Sequence, residues 1–183
     1  MRQVNTEFEV REARRSEAGL LHDLLVRAFS EYEGRLDPPS GANAETINSI
    51  AHKLEEGGAL VCEGGGVTAG CIFYRRKDGH LHVGRLAVVP ALRRRGIGDL
   101  LLRAAEGRAA ELGLPSVRLG VRLALESLRA YYATRGYAAI ALHSHAGYSQ
   151  PTFVEMEKRL PGLVSSDGDD ALRTRVSPGR AER

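Results

Sequence analysis

Only two cysteines stand in the 183 residues, Cys62 and Cys71, and they form neither a CxxC pair nor a metal-ligand spacing. A zinc site and a disulfide framework are both unsupported, no metal is expected, and two buried, reduced thiols are the natural reading. No run approaches the roughly 18 apolar residues of a membrane helix. The opening MRQVNTEFEVREARR lacks the apolar stretch of a secretory signal, so no membrane partner is expected and the cytoplasm is the expected compartment. Lysine is scarce too: Lys53, Lys77 and Lys158 are the only three among 26 bases. The rest are arginines, which suit bidentate phosphate contacts, although a base-composition bias accounts for them equally well. Twenty-three acids leave a net charge of +3 and a pI near 9.1. That excess is too small to argue for nucleic acid as a partner. What is present, 43% hydrophobic and 27% charged residues, fits a folded domain with one sizeable core.

Periodicity orders the chain. A short strand at Phe8 to Ala13 precedes a helix that Ser16 can cap, with Leu21, Leu24, Leu25, Ala28 and Phe29 on one face. The loop EYEGRLDPPSGAN follows, and Ile47, Ile50, Ala51 and Leu54 mark a second helix ended by Gly57. From Ala59 the period changes to that of strands: ALVCE, VTAGCIFYRR and HLHVGRLAVV, joined by turns at Gly64 to Gly66 and Asp78-Gly79, read as an antiparallel meander. Leu100, Leu101, Ala104, Ala105, Ala109 and Leu112 restore helical spacing, and SVRLGV returns to strand. A fourth helix ends at Gly136, and strands at Ala138 to Leu142 and Thr152 to Lys158 complete the order βααβββαβαββ. This predicts an α/β domain over residues 1–160, with a mixed central sheet of about seven strands and four flanking helices. Residues 161–183, poor in large apolar side chains, read as a mobile tail.

The richest segment is LAVVPALRRRGIGDLLLRAAE, where a strand gives way to an arginine loop and Gly96 and Gly98 lead straight into a helix. A helix start leaves N–H groups free, and glycines let an anion approach the backbone. No Gly-Lys-Ser/Thr follows and GxGxxG is incomplete, so nucleotide triphosphate and dinucleotide sites are disfavoured. What fits is RxxGxG, met by Arg93, Gly96 and Gly98, together with a downstream YxxxG[FY] met by Tyr132, Gly136 and Tyr137. With this element order, the chain resembles the GNAT N-acetyltransferase superfamily over roughly residues 8–160.

The resemblance implies acetyl-CoA as the acyl donor. With Arg93 counted among the cofactor-site residues, its pyrophosphate would lie on the amides of Arg94, Arg95, Gly96, Ile97, Gly98 and Asp99, and its pantetheine arm along Leu86, Ala87 and Val88. A position where many members carry Asn is Leu125 here. Tyr132 matches the family's proton donor to the departing sulfur; it also fits an ordinary core position. A phenol near 10 beside a thiol near 8.5 makes full proton transfer uphill by about 2 kcal/mol, so a strong hydrogen bond is the more economical role.

An acceptor amine is almost wholly protonated at pH 7 and cannot attack until it loses that proton. Some members place a glutamate eleven residues before the arginine of RxxGxG, and that count from Arg93 reaches His82. Simple alternation puts His80, His82, Gly84, Leu86 and Val88 on one face, so His82 is a candidate base, against the alternative of an ordinary sheet histidine. Tyr32 and Arg35 in the first loop, and His145 and Tyr148 in the last, are candidate acceptor contacts or plain loop residues. The expected activity is acetyl transfer to an amine of a small molecule or peptide by direct attack, since neither cysteine is linked to a base. A homodimer is compatible with this. The alternatives are a non-catalytic acyl-CoA-binding sensor, motivated by Leu125, and a basic nucleic-acid-binding module.

Overall fold

The computed structural model describes residues 8–162; residues 163–183, which hold nearly all of the expected tail, lie outside the described residues. The element order is β1 (Glu9–Glu12), α1 (Ala18–Phe29), α2 (Ile47–Glu56), β2 (Gly58–Gly64), β3 (Val67–Lys77), β4 (His80–Val88), α3 (Ile97–Glu111), β5 (Ser116–Arg122), α4 (Glu126–Ala133), β6 (Ala138–His143) and β7 (Phe153–Arg159). This is the sequence-based order. Ser16, expected to cap α1, falls instead in a short 3₁₀ turn, Arg15–Glu17. The Glu17 carboxylate reaches back to accept the Arg14 amide at 2.7 Å, which satisfies the turn without a hydroxyl.

The strands form one sheet in the order β1-β2-β3-β4-β5-β7-β6. Only the β4–β5 pair is parallel, as a strand-helix-strand connection through α3 requires. Helices α1 and α2 bury Leu21, Leu24, Leu25, Ile50 and Leu54 against Val61, Cys71, Phe73 and Ala87 on one face. Helix α3 buries Ile97, Leu101, Leu102, Ala105 and Ala109 on the other, against Leu60, Ile72, Leu81, Val83 and Val117. Fully covered leucines of this kind contribute about 1.5–3 kcal/mol each, so both layers hold the sheet firmly.

Two irregularities in β4 open the molecule. The strand pairs with β5 only at Leu81↔Val117 and His82↔Arg118, after which the two strands part. On its other side the register jumps between Cys71↔Ala87 and Phe73↔Gly84, with Arg85 at φ +52°. That bulge places one extra residue in β4 and reverses the alternation beyond it. Leu81 and Val83 face α3, and so do Leu86 and Val88, whereas Ala87 turns to the α1 side. His82 and the pair Leu86, Val88 therefore lie on opposite faces, which corrects the single-face expectation. A bulge carries no period of its own, so alternation could not reveal it.

Candidate active site

Where β4 leaves β5, a cleft of about 810 Å³ runs through the sheet, a volume suited to a large cofactor-like molecule. Past His82 the β4 edge no longer meets β5, and Gly84, Leu86, Ala87 and Val88 line the opening together with Gly120 and Val121. Backbone groups freed on that edge are ready partners for an extended polar chain.

One end of the cleft is the N-terminus of α3. Arg94 and Gly96 are left-handed at φ +62° and +81°, which bends the loop into a concave nest. The α3 N-cap, Gly96, supplies no side-chain acceptor, so the first N–H groups of a fifteen-residue helix remain for a ligand. Arg94, Gly96, Ile97, Gly98 and Asp99 all line this end. A Cβ on Gly98 would stand 2.9 Å from Tyr131 Oη. These features fit a diphosphate.

The arginines divide their work. Arg93 lines the cleft, yet its guanidinium turns to α1: Nη1 meets Glu31 at 2.7 Å, Nη2 donates to the Ala28 carbonyl at 2.9 Å and Nε to the Val88 carbonyl at 3.3 Å. It clamps the end of α1 to the end of β4. Arg95 lies over the Phe8 ring at 5.3 Å and is not part of the lining. The three arginines thus do not converge on one anion.

At the middle of the cleft sits Tyr132, 7% exposed, with Tyr131 and Tyr137 rings at 5.2 and 5.8 Å. Burial pushes its phenol well above the ordinary tyrosine value. Among the described residues its hydroxyl has no hydrogen-bond partner. Tyr131, by contrast, donates to Asp99 Oδ1 at 2.7 Å, and Arg135 Nε meets the same oxygen at 2.6 Å while its guanidinium stacks on the Tyr131 ring at 3.5 Å. Sequence reasoning passed over Tyr131 and Arg135. Their i, i+4 spacing opposite an aspartate in the first turn of α3 was the available signal.

The far end is bounded by Phe29, Tyr32, Arg85, Arg122, His145 and Phe153. Arg35 and Tyr148 lie outside the lining; the Tyr148 hydroxyl instead bonds Asp37, which ties the two loops together. Arg122 strengthens that tie through the Pro38 carbonyl and His145 Nε2, the latter at 3.3 Å. A guanidinium only donates, so Nε2 accepts and the His145 proton sits on Nδ1, toward Thr152 Oγ1. Burial and Arg122 accordingly lower the His145 pKa. Arg85 reaches the buried carboxylate of Glu45 at 2.9 Å, and Lys53 reaches it at 3.2 Å.

His82 is not among the lining residues. It stands on the opposite side of the bulge, its Nδ1 sealed without a partner. Burial, with Arg75, His80 and Lys77 nearby, pushes its pKa down to about 4. Burial also pushes the Cys62 thiol up to about 11 and Cys71 further, so neither is poised as a nucleophile.

A sheet parted beside an uncapped helix start offers an open strand edge and an anion site in one cleft. The family model described as "Acetyltransferase (GNAT) family" matches residues 20–137, and the chain belongs to that family. Among solved structures it is similar to the ribosomal-protein-S18-alanine N-acetyltransferase of Escherichia coli, with TM-score 0.69 and 14% identity over 89% of this chain and 97% of that one. It is similar to the PaiA N-acetyltransferase of Thermoplasma acidophilum in complex with coenzyme A, with TM-score 0.69 and 16% identity over 85% and 100%. A GNAT acetyltransferase of Elizabethkingia anophelis with acetyl-CoA bound gives TM-score 0.66 and 15% identity over 85% and 100%. No curated protein sequence matches the chain. Among the described residues, no helix is long and apolar enough to cross a membrane.

Proposed function

We propose that the protein moves an acetyl group from acetyl-CoA to an amine of a small molecule or peptide by direct attack. The observation that carries this reading is the uncapped α3 N-terminus behind left-handed Arg94 and Gly96, set at one end of the cleft between β4 and β5. The loop from Arg94 to Asp99 would hold the pyrophosphate, and the β4 edge at Leu86 to Val88, unpaired with β5, the pantetheine arm. Bound there, the thioester supplies an activated acetyl carbon. A strand amide near Val88 stabilises the oxyanion that forms as the amine adds.

Tyr132, whose side chain lines the cleft, is the residue this reading assigns to the departing sulfur. Its raised pKa makes full proton transfer to a thiolate still less favourable than for a free phenol, so it acts as a hydrogen-bond donor. His82 is off the lining, His145 already accepts from Arg122, and Glu31, which does line the cleft, is paired with Arg93. The amine therefore gives its proton to solvent at the open acceptor end, between the loops that Tyr148 and Asp37 join.

The second reading, an acyl-CoA sensor, is favoured by Leu125, whose apolar side chain lines the cleft where many relatives place Asn. Thiol release across a panel of amines decides between them. Turnover with at least one amine supports the enzyme; saturable CoA binding without release from any supports the sensor.

A further inference from the structure

Away from the acyl-transfer machinery, three side chains on two non-adjacent strands converge. His80 and His82 alternate on β4 and share a face, and Glu155 lies on β7, two strands away. On β5, which runs between, Gly120 stands opposite Glu155 and carries no side chain of its own to separate the groups, although the Phe153 ring packs over it. One ligand atom from each of the three residues, a ring nitrogen or a carboxylate oxygen, lies within 4.8 Å of the other two.

What they lack is a bond. His80 is 3% exposed, and neither of its ring nitrogens makes a hydrogen bond of good geometry, the Asp78 backbone offering only a poorly aligned contact; His82 Nδ1 also has no partner. Buried polar atoms are normally satisfied, so an orphaned pair of imidazoles beside a carboxylate points to something between them. A tetrahedral ion with bonds of about 2 Å holds its ligand atoms about 3.3 Å apart, a spacing that small side-chain rotations reach from the observed one. Two imidazoles and one carboxylate form a ligand set for a borderline transition metal, not for a hard cation that prefers oxygen alone.

We propose that His80, His82 and Glu155 bind one divalent transition-metal ion of the zinc type, with the remaining coordination positions taken by water. The surrounding charges leave room for it. Arg118 is engaged by Glu157 at 2.8 Å, and Arg75 and Lys77, cross-strand neighbours of His82 and His80, are exposed and can extend into solvent. His143 Nε2 stands 3.6 Å from Glu155 Oε2, on the exposed edge. The ion would tie β4 to β7 at the point where β4 and β5 begin to part, and so would brace the mouth of the cleft. This reading does not depend on acetyl transfer.

The test uses the full-length chain without an affinity tag, freed of metal with a chelator and then titrated with Zn²⁺ by calorimetry and with Co²⁺ by visible absorption. Wild type should bind one equivalent, show ligand-field bands with Co²⁺, and melt at a higher temperature with Zn²⁺. His82→Leu and Glu155→Gln should each weaken Zn²⁺ by about tenfold or more, since even indirect partners of metal ligands have effects of that size. The double variant should lose binding, whereas His52→Ala on α2 should retain it. Folding of each variant is checked by circular dichroism, and the two single variants, which leave buried His80 untouched, keep the test decisive if the double variant unfolds. Absence of saturable binding by folded wild type, or binding unchanged in both single variants, would overturn the proposal.

Discussion

Tyr132→Phe removes a single oxygen from the wall of the cleft. The ring keeps its contacts with Tyr131 and Tyr137, and because the hydroxyl has no partner among the described residues, no other group is orphaned. The cost in stability should be at most about 0.5 kcal/mol, a shift of about 1–2 °C in Tm for a chain of this size. Catalysis should suffer more. A hydrogen bond to a charged group is worth about 1.5–3 kcal/mol, and a bond that forms only as the sulfur becomes a thiolate is felt in the transition state. The expected loss in kcat is therefore about 10- to 150-fold, with the acetyl-CoA dissociation constant almost unchanged. Thiol release gives kcat, calorimetry gives the affinity, and a single-turnover experiment shows whether chemistry is the slow step. An unchanged kcat with chemistry limiting would refute the role and leave Tyr132 a core residue.

The cradle can be tested by charge and by size. Gly98→Glu should abolish CoA binding, but its Cβ would also press on Tyr131 Oη at 2.9 Å. In a Tyr131→Phe background that contact is relieved, so Gly98→Ala should fold normally and still bind CoA while Gly98→Glu should not; equal affinity of the two by calorimetry would refute the cradle. Glu45 offers a pH test. Burial raises its pKa, but Ser49, Lys53 and Arg85 together hold it below the ordinary glutamate value. A lowered folded-state pKa contributes stability that is full above the unfolded value and is lost as pH falls through the folded one. Glu45→Gln should thus cost about 1–3 kcal/mol near pH 7, and its Tm deficit should shrink in acid; a deficit independent of pH would contradict the assignment.

The sequence made the element order and the glycine-led, uncapped start of α3 legible because both rest on local signals: hydrophobic periods, turn residues, and glycines before a helix. Strand parity beyond Gly84 was not legible, since the Arg85 bulge depends on the β3 partner and leaves no mark in the alternation of β4. The same limit hid the Glu45–Arg85 pair, whose members stand forty positions apart, and the turn of Arg93 toward Glu31 and the end of α1. An arginine in a phosphate-like loop looks the same in sequence whether it faces an anion or a neighbouring helix.

Following an isotopically labelled acetyl group by mass spectrometry tests the central claim most directly. With wild-type protein and a reactive amine, the label should leave CoA and appear in the amine product, one thiol released for each acetyl moved, with none retained on the protein. Label remaining on CoA with every amine tried, or accumulating on Cys62 or Cys71, would contradict direct transfer.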